Sequence, residues 1–160
     1  MDKISTHISY EEAVNSPTAK AKGISNEPTL EHLKAMVTVA VKCFEPVRRW
    51  VGKPLRINSF YRSATLNKAV GGSATSEHCK GEAIDISGMG NITNAKIFHF
   101  LKENVEFSQL IAEFPDANGE PQWVHISHSE KGNKGQILVA SKVNGVTKYS
   151  QYKRGDISEI

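Results

Sequence analysis

The chain has 160 residues, 39% of them hydrophobic and 23% charged, with a net charge of +3 and a pI near 8.8. That length suits one domain with its own core, and the mild positive charge, without any block of lysines or arginines, excludes a nucleic-acid-binding arm. Two cysteines, Cys43 and Cys79, are too few for a disulfide framework; no stretch approaches the roughly 18 apolar residues of a membrane span.

In chain order, residues 1–28 read as irregular, with turns at Ser16-Pro17 and Glu27-Pro28 and a short helical turn over 10–14. The first residues lack the apolar core of a signal peptide, so synthesis in the cytoplasm without one is expected. A helix begins at 29, capped by Asn26 or Thr29, with Glu31 in its first turn. Leu30, Leu33, Met36, Val37, Ala40, Val41 and Phe44 recur at helical spacing and predict one apolar face. Cys43 falls within this pattern as a small buried hydrophobe, and Pro46 should kink or end the helix. Residues 55–60 alternate apolar and polar as a half-buried strand does. Ser63 caps a short helix through Val70, and 71–76 is a flexible loop.

A strand over 82–87 follows, then a helix capped by Thr93 or Asn94 that carries Ile97, Phe98 and Leu101. Strands are expected over 107–111 and 123–127, separated by a turn-rich loop at 115–121. The segments 135–140 and 143–149 read as a final hairpin turning at Asn144-Gly145. These elements predict one α+β domain over 1–149, a mainly antiparallel sheet with helices packed against it, and a polar, frayed tail over 150–160.

The stretch Ser76-Glu77-His78-Cys79-Lys80-Gly81-Glu82-Ala83-Ile84-Asp85 carries the chemistry. Gly81 permits a tight turn, and Asp85 projects from its strand on the face opposite Ile84 and Ile86. A buried aspartate is costly unless paired or metal-bound, so His78 and Asp85 are candidate ligands of a metal ion. A catalytic zinc takes three protein ligands and leaves one position open. His125 is the best third, because Trp123, His125 and Ser127 share one strand face while Val124 and Ile126 hold the other. His128 then faces away, and His7, His32 and His99 read as structural or solvated. A Cys79/His78 nucleophilic pair is disfavoured, since neighbours on an extended chain point apart.

Ser76-x-His78-x-x-Gly81-x-Ala83-x-Asp85, followed by Trp123-x-His125, resembles the M15 family of zinc peptidases, which includes D-alanyl-D-alanine carboxypeptidases and phage endolysins that cut peptidoglycan peptides. Segments 59–63, 66–72, 16–19 and 23–28 resemble the phage-type members, and the likeness reaches to about Tyr149. The resemblance implies a D-alanyl-D-alanine peptidase/hedgehog-like fold and one Zn2+ ion held by His78, Asp85 and His125. Arg62 matches an arginine that contacts substrate and stabilises the developing oxyanion, a sensible task for a fixed cation. Ser76 and Trp123 are further candidates for substrate contact. Many relatives place the general base three residues before the last histidine, where this chain has Gln122, an amide that cannot take a proton. Glu113 is the favoured substitute, and Glu120 the next. Glu77 and Glu82 are expected to face outward.

The implied function is zinc-dependent hydrolysis of peptidoglycan stem peptides or cross-links, by a monomer that binds no nucleic acid, does not insert into membranes, and reaches the cell wall after release or in a phage particle. Gln122 keeps a second reading open, a non-catalytic cell-wall-binding or virion-associated module with the same fold. A purely structural zinc site is disfavoured by the lack of a fourth ligand.

Overall fold

Alternation along the strands divides the sheet of this protein into two faces of different chemistry. In the computed structural model, which describes residues 1–159, six strands lie side by side in the order β3 (Arg56–Ser59), β4 (Ala83–Ser87), β6 (Trp123–Ser127), β5 (Gln109–Glu113), β7 (Gln136–Val143) and β8 (Val146–Gln151). Four neighbouring pairs are antiparallel, and β5 with β7 is parallel. Ile84, Ile86, Val124, Ile126, Leu110, Ala112 and Val139 project to one face and join the hydrophobic core. Asp85, His125, Ile111 and Leu138 stand in register on the other.

The core face is covered by helices. The last helix, α6 (Asn94–Asn104), starts at Thr93, whose side chain accepts from the Lys96 N–H, and it buries Ala95, Ile97, Phe98 and Leu101. Each of its three large buried side chains contributes roughly 1.5–3 kcal/mol of apolar burial. The helix α3 (Leu30–Val39) is capped by Thr29. It does not stop at Pro46: a π-helical segment (Ala40–Phe44) carries it into α4 (Glu45–Val51). Pro46 sits in the first turn of α4, where a missing N–H costs little. The buried stripe runs through Met36, Val39, Ala40, Cys43, Phe44 and Val47 at helical spacing, while Leu30 and Val41, expected on the apolar face, are exposed. The short α5 (Ala64–Ala69) is capped by Ser63, as its sequence suggests.

The short helix expected over 10–14 is present, and the rest of residues 1–28 is more structured than its irregular reading. Strands β1 (Lys3–Ser5) and β2 (Ile8–Ser9) pair, and Ser9 and Glu12 form a capping box at the start of α1 (Tyr10–Val14). Ser16 and Pro17 open α2 (Pro17–Lys22), which Gly23 closes. Long-range contacts hold this region: the buried Glu45 accepts from Ser5 Oγ and from the backbone N–H of His7, each at 2.7 Å. The Asn26 amide donates to the carbonyls of Val14 and Tyr61 and accepts from Ser63 N–H, tying the N-terminal segment to the chain around Arg62.

The tail differs from its expected frayed state as well. Ser150 and Gln151 complete β8, Ile157 is buried, and Ser158 N–H donates to the Gly119 carbonyl. Among the described residues no helix is long and apolar enough to cross a membrane.

Candidate metal centre and active site

The turn before β4 delivers the first ligand candidate. Ser76 caps a 3-10 helix (Glu77–Lys80), and Gly81 ends it in the left-handed region at φ 74°. A Cβ at Gly81 would lie 2.6 Å from the carbonyl oxygen of His32, so both the backbone angle and the close approach of α3 require glycine. This turn buries His78. Its Nδ1–H donates to the Phe60 carbonyl at 2.7 Å, which fixes the tautomer and leaves Nε2 as the free lone pair, 3.2 Å from Asp85 Oδ2. With both ring nitrogens so placed, none is left to activate Cys79, whose thiol burial pushes up despite the opposing pull of Arg62.

Strand pairing brings in the rest. Asp85 on β4 stands opposite His125 on β6, with Asp85 Oδ1 2.9 Å from His125 Nδ1. Donor atoms of His78, Asp85 and His125 all lie within 4.8 Å of one another, and all three residues are buried. Burial alone would raise the Asp85 carboxyl, but His78 and His125 outweigh it and hold the group well below the usual carboxylate range. Burial alone would likewise lower His125, yet the hydrogen bond to Asp85 and the nearby Glu77 carboxylate raise it. The cluster therefore favours a cation, and its two imidazoles and one carboxylate are a donor set that suits zinc.

Glu77 was expected to face outward, and here the expectation fails. The 3-10 turn folds its carboxylate toward the site, with Oε1 3.5 Å from His125 Nε2. Glu82 is half-buried, and its carbonyl accepts from the His128 N–H. His128 stands off the cluster, with Nε2 3.3 Å from the Asn133 amide nitrogen. The other histidines have partners elsewhere: His7 with Glu45, His32 at the cap of α3, and His99 with the Ser158 carbonyl.

The two carboxylates proposed for proton transfer have different surroundings. Glu113 ends β5, buried and one strand across from Trp123. Burial pushes it up to about 7; His125 and Arg62 pull against this, while Asp85 adds to it. Glu120 instead caps α6, with Oε2 accepting from Asn94 N–H and Oε1 from Ala95 N–H. Its carboxylate is engaged at a helix N-terminus and is not free to take a proton from substrate. Gln122 is exposed, and its carbonyl accepts from the Asn94 amide.

A groove of about 810 Å³ opens over the cluster, and Arg62, Ser76, Glu113 and Trp123 line it. Ser76 Oγ accepts from His78 N–H and lies 3.4 Å from Arg62 Nη2, while the buried Arg62 Nε has no hydrogen-bond partner among the described residues. Two lining features were not foreseen in the sequence. Phe114 adopts φ 51°, an uncommon backbone state for an aromatic residue, and turns its ring edge toward Trp123 at 5.5 Å. Tyr149, from β8, reaches the groove from the final hairpin.

No curated protein was found to match the chain. A family model described as Peptidase M15 matches residues 6–127, the segment that holds the His–Asp–His cluster, Arg62 and Glu113. With most of its length matched and a buried group able to hold the metal on which these peptidases depend, the chain belongs to the peptidase M15 family.

Proposed function

We propose that this protein is a zinc peptidase that hydrolyses peptide bonds in peptidoglycan stem peptides or cross-links, as a carboxypeptidase or an endopeptidase of the phage endolysin kind. The observation that carries this reading is the placing of Glu113, a buried carboxylate pushed up to about 7, on the same sheet face as the His78, Asp85 and His125 cluster. A zinc ion held by these three would lower the pKa of a bound water toward about 7 and polarise a carbonyl.

The chain's own groups do the rest. Glu113, ionised near neutral pH, accepts a proton from the attacking water and delivers it to the leaving amine. Arg62, whose Nε has no hydrogen-bond partner among the described residues, supports the negative charge that develops on the carbonyl oxygen. Ser76 holds the arginine in place from the turn that carries His78. The protein acts on the cell wall as a monomer, without nucleic acid and without membrane insertion, after release from the cytoplasm.

The test is digestion of purified peptidoglycan with and without a chelator, followed by mass spectrometry of the released peptides. Peptide release should stop on chelation, return with added zinc, and be absent in His78→Ala. Full activity of His78→Ala would sink the proposal.

A further inference from the structure

The family match ends at Ser127, but the groove continues past it. Leu138, Thr147 and Tyr149 line it from β7 and β8. We propose that this final hairpin is a substrate-binding wall of the groove, and that Tyr149 contacts the peptide beside the scissile bond. The inference rests on the peptidase reading above and adds a binding element to it.

Register places Tyr149. Glu113 pairs with Ala140 across β5 and β7, and Ala140 pairs with Tyr149 across β7 and β8. Residues paired across strands project to the same face, so the row Trp123, Glu113, Ala140, Tyr149 runs along the site side of the sheet. Ala140 is fully buried yet stands outside the hydrophobic core, so it lies beneath this row. Its small side chain leaves room for the flanking Glu113 and Tyr149.

The wall has a definite chemistry. Tyr149 is 58% exposed, an aromatic ring that lines the groove. Its hydroxyl is raised above the ordinary tyrosine value, by burial and then by Glu113 and Asp85, so it stays a donor. With Thr147 and Leu138 the wall presents hydroxyls and aliphatic carbon, and Lys142, paired with Thr147 on the same face and donating to its hydroxyl at 3.1 Å, adds one positive charge. Arg62 and Lys80 line the groove from the other side. A peptide carbonyl turned toward the hairpin would accept from the Tyr149 hydroxyl.

The hairpin is fastened to the catalytic strand. Phe114 N–H donates to the Ala140 carbonyl at 2.8 Å, and Lys142 Nζ sits 5.5 Å from the centre of the Phe114 ring. The unusual φ of Phe114 thus serves a docking contact directly after Glu113.

The experiment measures kcat and KM of the zinc-loaded full chain on soluble peptide stems freed from peptidoglycan by a glycosidase. Tyr149→Ala should raise KM roughly ten-fold with kcat within about two-fold, Tyr149→Phe should fall between, and Lys148→Ala, on the opposite hairpin face, should match wild type. Metal content and thermal unfolding check the fold. Should Tyr149→Ala fail to fold, Thr147→Trp, which narrows the same wall, should give the same rise in KM. Kinetic constants within two-fold of wild type in the folded variant overturn the inference. If the wild type itself releases nothing that a chelator abolishes, the peptidase reading fails separately. Binding of the same stems, followed by tryptophan fluorescence, then decides the hairpin: weakening by Tyr149→Ala supports its role and unchanged binding ends it.

Discussion

The Nε2 of His125 lies 3.5 Å from Oε1 of Glu77. Because Nδ1 of the same ring faces Asp85 at 2.9 Å, the imidazole is gripped on both edges by carboxylates. Partners of this kind orient a metal ligand and raise its basicity. Glu77→Gln keeps the shape and removes the charge. It should weaken zinc binding by about 10- to 100-fold while leaving the fold intact. Competition with a chromogenic chelator measures this, and an unchanged affinity would remove Glu77 from the site.

Glu113→Gln should retain the metal and lose activity by about 10²- to 10⁴-fold, the usual contribution of a positioned acid or base. In the wild type, activity should climb with pH as Glu113 loses its proton near 7 and fall away below it. The stability effect has the opposite sense. The folded state raises this carboxyl above the unfolded value, so the fold favours its protonated form. That stabilisation is present below about 4.5 and is lost as pH rises toward about 7. In metal-free protein the glutamine variant should therefore gain stability relative to wild type between pH 5 and pH 8. The gain is at most about 3 kcal/mol at 1.36 kcal/mol per pKa unit. Urea unfolding at the two pH values tests it. A non-catalytic wall-binding module would lose nothing in turnover on this substitution.

Glu120→Ala separates a cap from a catalyst. Removing the acceptor of the Asn94 and Ala95 N–H groups should cost about 1 kcal/mol. The melting temperature should drop by roughly 2–4 °C. Activity per folded molecule should stay at the wild-type level. A loss of kcat like that of Glu113→Gln would restore Glu120 as a candidate base.

Gly81→Ala combines two penalties, a left-handed backbone and a Cβ 2.6 Å from the His32 carbonyl oxygen. Destabilisation of about 1–3 kcal/mol is expected, with reduced zinc occupancy because this glycine closes the turn that buries His78. Thermal unfolding of the metal-free protein and the metal-to-protein ratio report the two effects separately.

Much of this molecule is written in local signals. Thr29, Ser63 and Thr93 mark helix starts because a side-chain oxygen satisfies an N–H two or three residues on. The two-residue period of a strand separates Asp85 from Ile84 and Ile86, and groups His125 with Trp123. Such signals act within a few residues, so the sequence alone supports the element order, the α+β class and His78, Asp85 and His125 as candidate ligands. The N-terminal region escaped this reading because its short elements are held by distant partners, Glu45 and Asn26.

Which carboxylate faces the cluster was not local information. Glu113 follows a strand-like segment and Glu120 lies seven residues on in a turn-rich loop, which favours the first without placing either against the cluster. Pairing of β5 between β6 and β7 turns the first into the groove, and the start of α6 captures the second. Glu77 and Tyr149 were decided in the same way, one by a 3-10 turn folded over β6 and the other by the register of the last hairpin. By itself the sequence determined the residue types and the faces on which they stand. Only the tertiary structure decided which faces share a groove, because strand order and register join residues that no spacing along the chain relates.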